Sequence, residues 1–222
     1  MTIEWSNDDQ LFYGTGIFID PNESNSPLYI VDTQNERVLQ YDAKGTSEGH
    51  IVVLGGEGRG DGVNQLENPQ DVTVDPQDAY HIYVDEEESV YVADHENHRI
   101  MKWKKGASEG EVVAGGNGRG RNLNQLCYPS SVYVDRRKSV YVTDTINDRI
   151  VRWLKGAKSG STVIAGSNKG DVGVCNPKDL TFDRNGNLYL TDENNMYLDD
   201  ESPNEYGHGR VQMFALEKRT LD

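Results

Sequence analysis

The chain has 222 residues, enough for one domain with a full core. Its formal net charge of -15 disfavours nucleic acid as a default partner, because phosphate binding runs on lysine and arginine. No apolar run approaches the ~18 residues a membrane helix needs, and Met1 to Gln10 lacks the basic-then-apolar pattern of a secretory signal. The chain therefore reads as soluble, with no membrane partner and an undetermined compartment.

Glycine and asparagine are abundant and long helical periodicity is absent, so the sequence predicts many short strands joined by turns. The first unit spans approximately residues 11–56. It runs from Leu11 through a strand ending in Asp20, a second (Leu28–Asp32), a third (Arg37–Tyr41) and a Val-rich fourth (Ile51–Leu54). The second unit, 66–116, repeats the order with Val72–Asp75, a strand ending in Asp94, Arg99–Trp103 and Val112–Ala114. It also carries ten extra residues, Pro76 to Asp85, whose His81-Ile82-Tyr83-Val84-Asp85 copies the innermost-strand pattern. Two strands thus compete for one place.

The third unit, 126–166, is the clearest: Val132–Asp135, then Val140–Thr143 and Ile150–Trp153 flanking a turn at Asp144 to Asp148, then Thr162–Ala165. The fourth, 174–222, has Leu180–Asp183, a strand to Asp192 and Arg210–Phe214, with no fourth strand after Phe214. Either Thr2 to Trp5 supplies that strand, or the chain is part of a larger ring. The turn between Asp192 and Arg210 is expanded, carries six carboxylates and reads as a solvated loop. Asp94 to Asp144 is 50 residues and Asp144 to Asp192 is 48. Periods of about 40–50 residues with four strands each mark propeller blades, whose faces are both covered by neighbours.

Each hairpin turn carries Asp-x-x-Asn-x-Arg. Asp32 with Arg37, Asp94 with Asn97 and Arg99, and Asp144 with Asn147 and Arg149 read as turn construction, as do Asp192 and Arg210 across the expanded turn. The aspartate would accept turn N–H groups, the asparagine would take a left-handed position, and the arginine would cover the pair.

Asn97-His98-Arg99-Ile100, preceded by Tyr91-Val92-Ala93-Asp94, resembles the core of an NHL repeat. Pro-x-x-Val-x-Val-Asp at Pro69 to Asp75 and Pro129 to Asp135 resembles its opening strand. The resemblance implies a single all-β domain over 1–222, a β-propeller of four-stranded antiparallel blades. It has four NHL-type repeats where the family most often has six, so an incomplete ring would self-associate through exposed blade faces.

The resemblance also implies an interaction module: a non-enzymatic scaffold binding a protein or peptide on the face of the inter-blade loops. The candidate binding residues are Arg59, Asp61, His95, His98, Arg119, Arg121, Tyr206 and His208. A metal-dependent lyase or hydrolase of the six-bladed type and an RNA-binding NHL domain are the alternatives. For the first, no histidine recurs at one blade position among the five, so no metal, cofactor or catalytic residue is assigned. For the second, Arg99 to Lys158 holds thirteen Lys and Arg against five Asp and Glu. Those cations fall in turns expected on different faces.

Arg59-Gly60-Asp61 matches an integrin-recognition tripeptide, but the next repeat has Arg119-Gly120-Arg121, so the match reads as chance on a repeat template. Gly55–Gly60 and Gly115–Gly120 lack the following helix of a phosphate loop and read as inter-blade turns. Cys127 and Cys175 occupy equivalent points of adjacent units and read as separate half-buried thiols. Asn22-Glu23-Ser24 is a glycosylation sequon only if the chain is secreted.

Overall fold

The structure is a computed structural model that describes residues 11, 13–19, 28–41, 51–55, 57–74, 89–166, 173–183, 185–193 and 209–216. Its strands form four blades of a β-propeller. The first blade is β1 (Gly14–Ile19), β2 (Leu28–Asp32), β3 (Arg37–Tyr41) and β4 (Ile51–Gly55), hydrogen-bonded in that order. The second is β5 (Pro69–Val74), β6 (Val90–Asp94), β7 (Arg99–Trp103) and β8 (Glu111–Gly115). The third is β9 (Pro129–Val134), β10 (Val140–Asp144), β11 (Arg149–Trp153) and β12 (Ser161–Ala165). The fourth has three strands among the described residues: β13 (Asp179–Phe182), β14 (Asn187–Glu193) and β15 (Gly209–Ala215).

The inner strands pack in succession, β1 on β5, β5 on β9 and β9 on β13. The core sits between blades. One cluster joins Val31 and Leu54 to Val92 and Trp103, a second joins Tyr91 and Ile100 to Val142 and Trp153, and a third joins Tyr141 and Ile150 to Leu188 and Leu190. Every residue of β6 and β10 is buried, because each of these strands is covered on both faces. Close approach of the inner strands requires a glycine at 16: a Cβ there would stand 2.9 Å from the Asp71 Cα and the Val31 side chain. On the two flanking blades Ile17 and Ile19 of β1 and Val211 and Met213 of β15 are exposed.

Several sequence expectations are decided here. Val72, Thr73 and Val74 pair with Val92, Tyr91 and Val90, so β5 holds the inner position, and His81 to Asp85 lies outside the described residues. Cys127 and Cys175 form no disulfide. The left-handed residue of the hairpin turns is not the asparagine. It is the next one, Glu36, His98 or Asp148, with φ between 53° and 55°. Asn35, Asn97 and Asn147 instead turn their side-chain amides onto the turn aspartates.

A second non-glycine departure lies in the β9–β10 hairpin. Lys138 donates its N–H to the Asp135 carbonyl at φ 63°, and its counterpart in the β13–β14 hairpin is Gly186 at φ 84°. Both turns are built alike, with the Asp135 or Asp183 carboxylate accepting two backbone N–H groups. A side chain in this conformation costs roughly 1–2 kcal/mol, so Lys138→Gly is expected to raise stability by roughly 0.5–1 kcal/mol after the unfolded-state entropy of glycine is subtracted. Urea denaturation of the two proteins measures it; a lower midpoint for the glycine variant would show that Lys138 is not strained.

Candidate functional site

The loop face is built by one repeated clamp. Asp94 is fully buried and accepts from the Glu67 N–H at 2.9 Å, from Asn97, and from Arg99 Nε at 2.6 Å. The other guanidinium nitrogens of Arg99 reach the carbonyls of Asp61 and Gly62 at 2.9 and 3.1 Å. Asp144 repeats this with the Cys127 N–H at 2.7 Å, Asn147 at 2.9 Å and Arg149 Nε at 2.7 Å. Arg149 then holds the carbonyls of Arg121, Asn122 and Gln125 at 2.9, 3.2 and 3.2 Å. Asp192 accepts from the Cys175 N–H and from Arg210, though these two lie 18 residues apart in sequence. In the first blade Arg37 Nε meets Asp32 at 2.7 Å. Burial pushes the Asp94 and Asp144 carboxyls up, against the opposing pull of these donors. Asp94, Asp144 and Asp192 therefore tie their hairpins to the crossover from the preceding blade rather than to their own turn N–H groups.

A second contact stitches each hairpin to the following blade. Thr33 and Thr145 donate their hydroxyls to the carbonyls of Pro69 and Pro177, both at 2.9 Å. His95 holds the equivalent place: its Nδ1 lies 2.9 Å from the Pro129 carbonyl and donates to it. Burial pulls this imidazole below its ordinary range, which favours its neutral form. His95 is thus a blade-to-blade stitch with one ring edge at the surface.

Two further candidates, Arg119 and His98, gather with His95 around a residue the sequence reading passed over, Tyr128. Arg119 lies over its ring at 5.2 Å, His98 meets it edge-on at 4.5 Å and His95 is 5.1 Å away. The Tyr128 N–H donates to Nδ1 of His98, as the Asn68 and Asn176 N–H groups donate to Glu36 and Asp148 in the same repeat position. The same Nδ1 lies 3.1 Å from the His95 carbonyl, which only accepts, so its two contacts call for opposite tautomers of the ring.

Tyr128 immediately precedes Pro129 at φ 54°, where the second and fourth blades place Asn68 and Asn176 at φ 51° and 47°. Asparagine tolerates the left-handed region and a bulky aromatic does so poorly. The available signal was the register of Asn68-Pro69, Tyr128-Pro129 and Asn176-Pro177, and the first blade places Tyr13 at the same position at φ 61°.

Arg59 and Asp61 lie one crossover away. Arg59 is paired with Glu67 at 2.6 Å, and the Asp61 carbonyl is held by Arg99. Gly60 donates its N–H to Leu66, so this tripeptide is clamped into the crossover. Arg121 is exposed and contributes its carbonyl to Arg149 rather than its side chain to the Tyr128 group. Tyr206 and His208 lie outside the described residues, as does Asn22.

The basic turns divide differently from expectation. Arg136 to Lys138 and Leu154 to Gly160 lie at one end of the third sheet, because both connect its antiparallel strands on the same side. Arg119 and Arg121 belong to the crossover that leaves from the other end.

A further feature spans three inner strands. Ser131 Oγ on β9 stands 2.8 Å from Asp71 Oδ2 on β5 and 2.8 Å from Asp179 Oδ1 on β13. One hydroxyl proton serves only one of those carboxylates. Burial, followed by the neighbouring Asp179 charge, pushes Asp71 up to about 6 despite the Val132 and Ser131 donors. Below that pH a carboxylic acid proton on Asp71 completes the second bond. Among the described residues, no three His, Cys, Asp or Glu side chains converge as a group that could hold a metal ion. No helix among them is long and apolar enough to cross a membrane.

No family model and no curated protein matches the chain. Solved propeller structures do. A chain of a nidogen/laminin complex is 17% identical with a TM-score of 0.56, over 81% of this chain and 57% of that one. A structural genomics protein of unknown function from Bacteroides thetaiotaomicron VPI-5482 is 17% identical with a TM-score of 0.55, over 80% and 44%. A streptogramin B lyase is 11% identical with a TM-score of 0.50, over 91% and 54%. At these identities the likeness shows the fold alone, and the chain spans about half the length of those it matches.

Proposed function

We propose that the chain is a non-enzymatic scaffold whose loop face binds a protein or peptide, with the Tyr128 cluster as its centre. The observation that carries this reading is a half-buried, left-handed tyrosine with Arg119 and His98 packed on its ring, at a position that the second and fourth blades fill with asparagine and the first with the exposed Tyr13 at φ 61°. Strain kept beneath an aromatic ring that Arg119 and His98 pack against points to a use for the side chain. Tyrosine and arginine over a rigid frame are the residue types that dominate protein interfaces. The clamps at Asp94 and Asp144 make the frame rigid, so little ordering entropy would oppose binding.

The NHL-like motifs support an interaction role, and one structural neighbour was itself solved as a nidogen/laminin complex. Fold alone does not decide function. The Tyr128 group is the argument.

The test selects peptides from a displayed library on the whole chain and re-measures them on two variants. Tyr128→Asn restores the residue found at positions 68 and 176, so it should keep the fold. Loss of an interface tyrosine of this kind costs about 2 kcal/mol, roughly thirtyfold in affinity. Arg119→Ala should weaken the same peptides in parallel. Peptides that bind both variants as tightly as the parent, or a selection that yields no binder, would sink the reading.

A further inference from the structure

We infer that the outer flank between the second and third blades carries a second, separate site, which takes an extended acidic peptide. The site is a groove of about 620 Å³. One wall is β8, the outermost strand of its sheet. The other wall is the β11–β12 turn of the next blade, from Leu154 to Lys158. An outermost strand offers a row of backbone N–H and C=O groups to an added strand, and side-chain pockets beside it give selectivity.

The charge of the groove selects the occupant. Lys102, Lys138, Lys155 and Lys158 line it, and the carboxylate among its lining residues, Glu111, already sits 3.5 Å from Lys102. This is a cationic groove in a chain of net charge -15. The lysines are not edge guards of the kind that keep strands from aggregating. Lys138, Lys155 and Lys158 come from the facing blade, whereas the middle of β8 presents the half-buried Val113 and the facing turn presents Leu154, 52% exposed. Apolar side chains between flanking cations fit a strand that alternates acidic and apolar residues.

Lys138 supplies an independent sign. The fourth blade uses Gly186 at the same left-handed position, whereas the third places a lysine there against its backbone preference, and Lys138 lines this groove. A peptide fits better than a nucleic acid. Tyr91 and Trp153 line the groove but are buried, leaving no aromatic face on which bases could stack.

The experiment titrates a fluorescein-labelled peptide of alternating glutamate and valine, eight residues in all, with the whole chain by anisotropy. Saturable binding is expected, weakening at least fivefold from 50 to 300 mM salt as the lysine charges are screened. The double variant Lys155→Glu, Lys158→Glu should lose at least tenfold and Lys138→Gly at least threefold, both with unchanged thermal midpoints or, for the glycine, a higher one. Arg119→Ala, in the loop-face cluster, should bind within twofold of the parent. That variant also keeps this test apart from the loop-face proposal. Absence of saturable binding, equal affinity in the lysine variants, an equal loss in Arg119→Ala, or tighter binding of single-stranded RNA of the same charge would each overturn the assignment.

Discussion

Replacing Arg149 with methionine is expected to lower the unfolding free energy by about 3–5 kcal/mol, the cost of leaving one partner of a buried ion pair alone. The guanidinium is 6% exposed and Asp144 is not exposed at all. Methionine fills a similar volume but leaves the carboxylate with only the Cys127 and Asn147 donors. It also releases the carbonyls of Arg121, Asn122 and Gln125 together. Against a total stability on the order of 5–15 kcal/mol, such a loss is a large fraction. Urea denaturation of the parent, Arg149→Met, Asp144→Leu and the double variant measures it. The double variant should recover part of the loss, because no buried charge is then left without its partner. A loss under about 1 kcal/mol in the single variant would mean that water replaces the arginine and that the clamp is not a dry pair.

The same substitution connects stability to the loop face. Arg149 is the tie between the third blade and the crossover from Gly116 to Tyr128, which carries Arg119 and ends in the candidate tyrosine. Hydrogen exchange at Gly120 and Gln125, whose amides bond Leu126 and Asn122, should quicken more than exchange in β10. Equal quickening in both would show global opening rather than release of the crossover.

Much of the blade was legible because its strands are short and covered on both sides, so the apolar runs of β6 and β10 stand out between turn residues. The Asp-to-Arg spacing was legible as a pair, but its reach was not. Nothing local to Asp94 or Asp144 shows that their other lobes hold Glu67 and Cys127, because that contact closes only when neighbouring blades pack. The asparagine was misassigned for a related reason. A left-handed propensity suits Asn147, but its amide bridges Asp144 to the Gly120 carbonyl, and the following Asp148 takes the positive φ instead. Tyr128 was hidden in plain composition and emerges only when residues 13, 68, 128 and 176 are read as one position and the partners packed on each ring are compared. His95 stood among the candidate binding residues, and packing against the third blade makes it a stitch as well.

Asparagine at position 71 is expected to make the protein more stable at pH 8 and no more stable at pH 4. Asp71 belongs to the innermost strand β5, where Ser131 and Asp179 meet it from β9 and β13, and no cation is among the groups that perturb it. Its carboxyl is pushed up to about 6 from an ordinary value of 3.8. The folded chain therefore binds a proton that the unfolded chain has released, and stability falls as pH rises between those two values. Below pH 4 both states are protonated and the full contribution is present; above pH 6 the folded chain must carry a desolvated carboxylate beside Asp179. Two units correspond to about 3 kcal/mol at most, and the amide loses one acceptor, so a gain of roughly 1–2 kcal/mol is expected. In a chain of this length that raises the thermal midpoint by about 2–4 °C per kcal/mol. The difference between Asp71→Asn and the parent isolates this group from other carboxylates that titrate in the same range. A midpoint difference that does not grow from pH 4 to pH 8 would mean that Ser131 gives its proton to Asp71 at all pH values and that the three blades share no acid proton.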